Sequence, residues 1–392
     1  MELVLDRAPQ LETEQIPLDR CLGRVLAADV SSPIDVPSFA KSSMDGYAVV
    51  SSEVAGASQS SPVVLTVVGV LSPGTVTDRP AGPGKCFEIG TGAAIPPGAD
   101  CVVMVERTSR SGEAVSVFAG VKAGDNVVPS ASDVERGDVV LKKGTHMGPR
   151  HIGVLAAVGQ AYVSVAKRPV VALASCGPEL VSVGDQLGPG MIYDINSSAL
   201  KAALAEDGCS VVDLGVTGDD IDELNRAILA GAKQADMVIV SGGSSLGSSD
   251  LVTEVLTRSG RLLLHGVAVK PGKPLVIGEV EGKLFVGLPG NPLSALSSYY
   301  LFIQPVVRKA LGTRPPGNRK VEAILAEDLS SVPDRFEFLP VRLEEGLDTV
   351  KAYPSRKGSS AISEMASSDG YVEIPTAIVA LPRGMQVEVH LY

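Results

Sequence analysis

Between Arg168 and Leu311, short apolar runs alternate with helical patterns, and that alternation leaves few folds open. RPVVALASCG reads as a buried strand, and SSALKAALAEDG as a helix with Leu200, Ala203 and Leu204 on one face. CSVVDLGV is a second strand, followed by the helix DDIDELNRAILAGAKQ with Ile221, Leu224, Ile228 and Leu229 in register. ADMVIVSGG is a third, with a further helix after it. GKLFVGLPG precedes a long helix running from Pro292 to about Leu311. Strands separated by helices imply a parallel sheet with helices on its faces.

The flanks read differently. The first thirty residues hold a helical pattern that runs into GRVLAADV. From about Ser32 to Asp138, runs such as SPVVLTVVGVL, KCFEIGTG and DCVVMVE sit between Gly/Pro turns, as in a β-rich domain. A short helix follows from His151 to Gly159, and QAYVSVAKRP reads as a strand. After TRPPGNRK the pattern becomes β again in VEAILAEDL, RFEFLPVRL, GYVEIP and GMQVEVHLY, which predicts a small C-terminal barrel or sandwich. The fold class is thus α/β plus β in a multidomain chain, and 392 residues suit two to four domains.

Charge and cysteine usage narrow the function. A formal net charge of -11 argues against a nucleic-acid groove, which needs clustered Lys and Arg. A small anion remains possible where a few basic residues converge. The five cysteines are far apart with no C-x-x-C spacing, which predicts reduced thiols in a cytoplasmic protein. No apolar run approaches the roughly 20 residues of a membrane span, so direct membrane insertion is not expected.

In open parallel sheets, ligands bind outside the carboxyl ends of the strands. The residues there form a convergent polar set: Glu179 in CGPEL, Asp219 and Asp220 in TGDD, SGGSSLGSSD from Ser241 to Asp250, Lys270 and Lys273 in KPGKP, and PGNPLS. Each has a structural reading. Asp219 suits a helix N-cap, as does Asn291 before Pro292, and KPGKP suits an exposed turn. Taken together they suit a phosphorylated or oxyanionic substrate. Backbone N–H groups of a Gly/Ser loop hold phosphate, lysines neutralise charge, and carboxylates hold a hard cation such as Mg²⁺. Neither a phosphate-binding G-x-x-x-x-G-K-[ST] motif nor a dinucleotide-binding G-x-G-x-x-G motif occurs.

SSMDGYAV (Ser42–Val49), TGAAIPPGADCVVMVE (Thr91–Glu106), SGGSSLGSSD, VAVKPGKP and GLPGNPLSA follow one another in the order found in one family. Across essentially its whole length the chain resembles the molybdopterin molybdenumtransferases, which include the E domains of gephyrin and its plant counterpart. The resemblance implies an elongated homodimer of four-domain subunits. Its α/β domain would span 1–12 and 169–317, a connecting domain 13–31 and 138–168, a β-rich insertion 32–137, and a C-terminal β barrel 318–392. It implies a reaction in which adenylylated molybdopterin and molybdate give molybdenum cofactor and AMP with a divalent cation. It also implies roles for particular residues. Asp219 or Asp220 and Asp250 match acids near the cation and phosphates, with Asp219 and Asp250 as metal ligands, and Glu179 matches the acid after the first α/β strand. Lys270 and Lys273 match the lysines for molybdate and pterin phosphate. Ser241, Gly242, Gly243, Ser245 and Gly247 match the phosphate loop, and Pro289, Gly290, Asn291, Pro292 and Ser294 the LPGNP segment. Arg335 and Ser359 match cleft residues of the last domain. Asp45 and Thr91 match residues of the β-rich domain that reach the other subunit's cleft, and Asp133 matches a further acid.

The chain departs from the family at four places. Ser248 stands where a second acid is usual, and Pro178 where T-G-D-E would carry its first acid. NVVPSASD before Asp133 lacks arginine, and Pro340 replaces an arginine. Fewer carboxylates weaken a cation site, and fewer arginines weaken an anion site. Two roles follow: an insertase, or a gephyrin-like dimeric scaffold that binds a partner peptide, such as a membrane-receptor tail, with reduced catalysis.

Overall fold

The structure is a computed structural model that describes residues 1–243, 251–313, 320–347, 349–355 and 357–392. Its centre is a six-stranded sheet. In chain order the strands are β1 (Val170–Cys176), β2 (Ser210–Thr217), β3 (Met237–Gly242), β4 (Gly260–His265), β5 (Val276–Val280) and β6 (Lys283–Leu288). Their spatial order is 2-1-3-6-5-4. The pairs β1–β2, β1–β3 and β3–β6 are parallel, while β5 runs antiparallel to both β6 and β4.

Alternating side chains give this sheet two cores. Val171 and Leu173 of β1, with Met237 and Ile239 of β3, face helix α1 (Ile195–Glu206) and the region after β6. Ala172, Ala174 and Cys176, with Val238 and Val240, face α2 (Ile221–Gln234) and α3 (Leu251–Ser259). The anticipated helix faces are the buried ones: Leu200, Ala203 and Leu204 in α1, and Leu224 and Ile228 in α2, with Ile221 and Leu229 half-buried beside them.

The long final helix is interrupted. α4 (Pro292–Ser298) passes into a π-helical turn over Tyr299–Ile303 before a last α-helical stretch, Gln304–Leu311. The stretch ends at Gly312, whose φ of 67° supplies a left-handed cap. One reason for the interruption is Pro305, which cannot donate to the preceding turn.

The opening helical pattern yields α-helix only over Glu2–Leu5, with one 3-10 turn at Leu18–Arg20. Residues Thr13–Pro17 instead pair antiparallel with Tyr162–Ala166, around a small core containing Ile16, Leu26, Leu155 and Val163. Tertiary pairing overrides the local pattern there. A six-stranded sheet between Gly46 and Val117 carries a further core of Tyr47, Val49, Leu65 and Val103. At the C-terminus, strands 336–345, 350–354, 320–325, 386–391 and 370–374 each pair with the next, and the last pairs back to the first. That closes a barrel around Ala323, Val341, Ala352 and Val389. The fold class is therefore α/β plus β, with several domains and a closed C-terminal barrel.

LLLHGVAV does not form one strand. β4 ends at His265, and Gly266 turns the chain with φ 83°. Val269–Lys270 then pairs in parallel with Phe336–Glu337 of the barrel. Lys270 thus sits on an α/β excursion that has joined the C-terminal sheet.

Candidate functional site

The sheet order reverses at β1, with β2 on one side and β3 on the other. A crevice opens at the carboxyl ends of such a pair. Here it is a cleft of about 560 Å³ lined by Cys176, Gly177 and Glu179 after β1, Asp219 after β2, Ser241–Gly243 at the end of β3, and Pro289–Pro292 after β6. Two of these strand ends, those of β1 and β3, meet closely. A Cβ on Gly242, whose φ is 88°, would fall inside 3.0 Å of the Cys176 carbonyl oxygen. A Cβ on Gly243 would lie 2.9 Å from the Cys176 Sγ. Glycine at both positions lets the backbone approach, which is what an oxyanion cradle requires. Burial pushes the Cys176 thiol up to about 11, so it is a packing group at neutral pH.

The two aspartates of TGDD divide. Asp220 is the N-cap of α2, and its Oδ1 accepts from the backbone N–H of Asp222 at 2.8 Å and of Glu223 at 3.0 Å. Those bonds, that of Glu223 foremost, hold its carboxyl below the usual range. The capping role read for Asp219 therefore belongs to Asp220, because α2 starts at Ile221 and the cap is the residue just before it. Asp219 lines the cleft instead. Asn291 takes the cap position of α4 without a capping bond; its amide donates to Ser359 Oγ at 3.1 Å.

A second chamber of about 490 Å³ shares Pro274 and Asn291 with the first and lies between KPGKP and the barrel. Lys270, Lys273, Ser294, Arg335, Lys357 and Ser359 line it, with Glu337. Lys270 Nζ pairs with Glu337 at 2.8 Å. Glu337 is buried and also accepts from Ser331 Oγ at 2.6 Å. KPGKP is tightly seated: Gly272, at φ 121°, would place a Cβ 3.0 Å from Ser298 Oγ of α4. The backbone of Leu293 donates to the Ser359 carbonyl at 3.0 Å, joining α4 to the barrel.

Comparison with known proteins identifies the family. Residues 1–159 match the MoeA N-terminal region (domain I and II), 179–309 a probable molybdopterin binding domain, and 322–392 the MoeA C-terminal region (domain IV). The molybdopterin molybdenumtransferase of Haemophilus influenzae is 36% identical over 350 residues, covering 86% of this chain and 85% of that one. The chain belongs to the molybdopterin molybdenumtransferase family. Molybdopterin molybdenumtransferase 2 of Mycobacterium tuberculosis is 35% identical over 383 residues, covering 95% of this chain and 94% of that one. A solved molybdopterin biosynthesis MoeA protein from Pyrococcus horikoshii superposes with a TM-score of 0.88 at 38% identity, covering 100% of this chain and 97% of that one.

Of the residues that the molybdopterin molybdenumtransferase resemblance marks, the structure gathers Glu179, Asp219, Ser241, Gly242, Gly243, Pro289, Gly290, Asn291 and Pro292 around the first chamber. Lys270, Lys273, Asn291, Ser294, Arg335 and Ser359 surround the second. Ser245, Gly247 and Asp250 lie outside the described residues, as does the departure at Ser248. Asp45, Thr91 and Asp133 line neither chamber. Asp45 Oδ1 accepts from Thr91 N at 2.7 Å and Thr91 Oγ1 at 2.8 Å, bonds that hold its carboxyl below the usual range. Asp133 is exposed, on a turn whose backbone donates to Val36.

Among the described residues, no cluster of three His, Cys, Asp or Glu side chains is placed to hold an ion. Glu179 and Asp219 nonetheless share one chamber. That suits a cation such as Mg²⁺, which takes one or two carboxylates and completes its shell with substrate oxygens and water. Sequence reasoning did not select Asn196, Glu337 or Lys357. Asn196 lies one residue inside α1, behind the buried N-cap Asp194, and nothing local to YDIN announces what it reaches.

Proposed function

We propose that the chain acts in molybdenum cofactor biosynthesis by inserting molybdate into adenylylated molybdopterin with release of AMP. The observation that carries this reading is the neighbouring pair of chambers. A glycine cradle at the β1/β3 switch point lies beside a second space, with Pro274 and Asn291 between them, lined by Lys270, Lys273, Arg335 and Lys357.

Each part has a physical role. Backbone N–H groups at Ser241–Gly243 bind phosphate oxygens, and Lys273 and Lys270 neutralise an anion-rich substrate in a chain whose net charge is -11. Lys270 is already paired with Glu337, so Lys273 carries more of the anion's charge and Lys270 fixes the loop to the barrel. Asp219 and Glu179, with Asp250, would hold the divalent cation, which when bound neutralises phosphate charge and orients the scissile bond. Arg335, Ser359, Ser294 and the Pro289–Pro292 segment shape the molybdate side. Four domains with the boundaries given above, a homodimer whose Asp45 and Thr91 face the partner's cleft, Asp133 as a further substrate-binding acid, and a cytoplasmic location complete the proposal.

The test supplies purified protein with adenylylated molybdopterin, Mg²⁺ and molybdate and measures AMP. Release is expected, with Lys273→Ala lowering it at least about tenfold, the scale of a charge-assisted contact. No release from the wild-type chain would reject the insertase and favour the peptide-binding dimer. Undiminished release from Lys273→Ala would reject the lysine's role.

A further inference from the structure

Two segments that line the first chamber are tied together by one side chain from a third element that also borders it. Asn196, in the first turn of α1, directs Nδ2 at two atoms. One is Ser241 Oγ at the end of β3, at 2.8 Å, and the other is the Gly290 carbonyl oxygen after β6, also at 2.8 Å. A carbonyl oxygen only accepts, so the amide NH₂, not the amide oxygen, faces Gly290. The amide orientation is thereby fixed. Its second proton goes to Ser241 Oγ, which must accept at this contact.

A hydroxyl has one proton and two lone pairs. Once Ser241 spends a lone pair on Asn196, its proton is turned to another side. Ser241 is buried at the strand end and belongs to the lining of the first chamber. We propose that Asn196 is a positioning residue that sets the Ser241 hydroxyl as a hydrogen-bond donor toward an anionic substrate oxygen, while locking the Gly290 loop against β3. Gly290 packs onto the Gly242 backbone, with a Cβ there placed 3.8 Å from Gly242 Cα, so the same contact holds both loops at their working separation. Asn196 borders the same chamber, but both protons of its amide are spent on Ser241 and Gly290, so it acts through them. The proposal rests on the insertase reading of the chamber and assigns that reading's substrate a donor beyond the backbone cradle.

Asn196→Asp keeps size and shape but reverses the chemistry. A carboxylate cannot donate, so it repels the Gly290 carbonyl and takes the Ser241 proton for itself. The dissociation constant of adenylylated molybdopterin, measured by calorimetry with Mg²⁺ and without molybdate, should rise about tenfold or more, in line with loss of a hydrogen bond to a charged group. Ser241→Ala should cause a similar rise. The double variant Asn196→Asp/Ser241→Ala should lose clearly less than the product of the two single losses, because the donor that Asn196 sets is then absent and only the Gly290 tether and the new charge still count. Additive losses would mean that Asn196 merely glues loops, and would overturn the proposal, as would unchanged binding by Asn196→Asp. Should Asn196→Asp not yield folded protein, Asn196→Ala completes the same cycle: a loss of about threefold or more is expected with Ser241 present and a clearly smaller one with alanine there, where only the Gly290 bond remains to be lost. A wild-type chain that does not bind adenylylated molybdopterin refutes the insertase reading, and this inference with it. A wild-type chain that binds alongside an unaffected Asn196→Asp refutes only the inference.

Discussion

Replacing Gly242 with alanine should lower the unfolding midpoint of the α/β core by on the order of 10 °C. Two costs combine. The residue sits at φ 88°, where a side chain costs about 1–2 kcal/mol. The new Cβ would also lie inside 3.0 Å of the Cys176 carbonyl oxygen. That oxygen belongs to a central strand of the sheet and cannot swing away as a flexible side chain would. Overpacking of this kind adds about 1–3 kcal/mol. The sum of about 2–5 kcal/mol, at roughly 2–4 °C per kcal/mol for a domain this size, gives the stated shift. Two other glycines of the same region separate the causes. Gly215 has φ 80° with nothing within 4 Å of a Cβ, so Gly215→Ala should show the conformational cost alone, roughly 5 °C. Gly290 has no positive φ, and its Cβ would meet Gly242 Cα at an ordinary 3.8 Å, so Gly290→Ala should move the midpoint by at most about 2 °C. Differential scanning calorimetry of the four proteins reads all three shifts. A Gly242→Ala midpoint no lower than that of Gly215→Ala would refute the steric reasoning.

Two further tests concern charged side chains. Asp220→Ala should cost about 1 kcal/mol of stability through its lost cap while leaving AMP release intact, and Asp219→Ala should do the reverse; calorimetry and the AMP assay together check the pair, and swapped effects would reject the division of roles. His151 Nδ1 accepts from the Gly148 backbone N–H at 2.9 Å, and burial, then Arg150 and His146, lower its pKa from 6.5. A histidine kept neutral in the fold stabilises it fully above pH 6.5 and loses that contribution as pH falls toward the lower folded value. The drop in unfolding midpoint between pH 7.5 and pH 5 should therefore be smaller in His151→Gln, whose amide oxygen still accepts from Gly148; an equal drop in both proteins would reject the mechanism.

Much of the α/β region is legible from the sequence because burial there is decided locally. Leu224 and Ile228 face the sheet because a helix repeats every 3.6 residues, and Val171 and Leu173 share a face because a strand repeats every two. The polar residues at the strand ends are legible for the same reason: a parallel sheet sends every one of those ends to one edge. Misreadings occur where a distant partner decides. Thr13–Pro17 becomes a strand only because Tyr162–Ala166 lies beside it, and Val269–Lys270 leaves the α/β sheet because Phe336–Glu337 offers a free edge.

The sequence by itself determined which residue types stand at the strand ends: glycines where backbone must approach, lysines for an anion, and aspartates for a cap or a cation. Only the tertiary structure decided which of two adjacent aspartates faces the cleft, that Lys270 is held by Glu337, and that Asn196 joins Ser241 to Gly290. Periodicity is a property of neighbouring residues and is written along the chain. A hydrogen bond needs two atoms within about 3 Å, and when the residues that carry them are 45 or 94 positions apart, only the packed fold sets that distance.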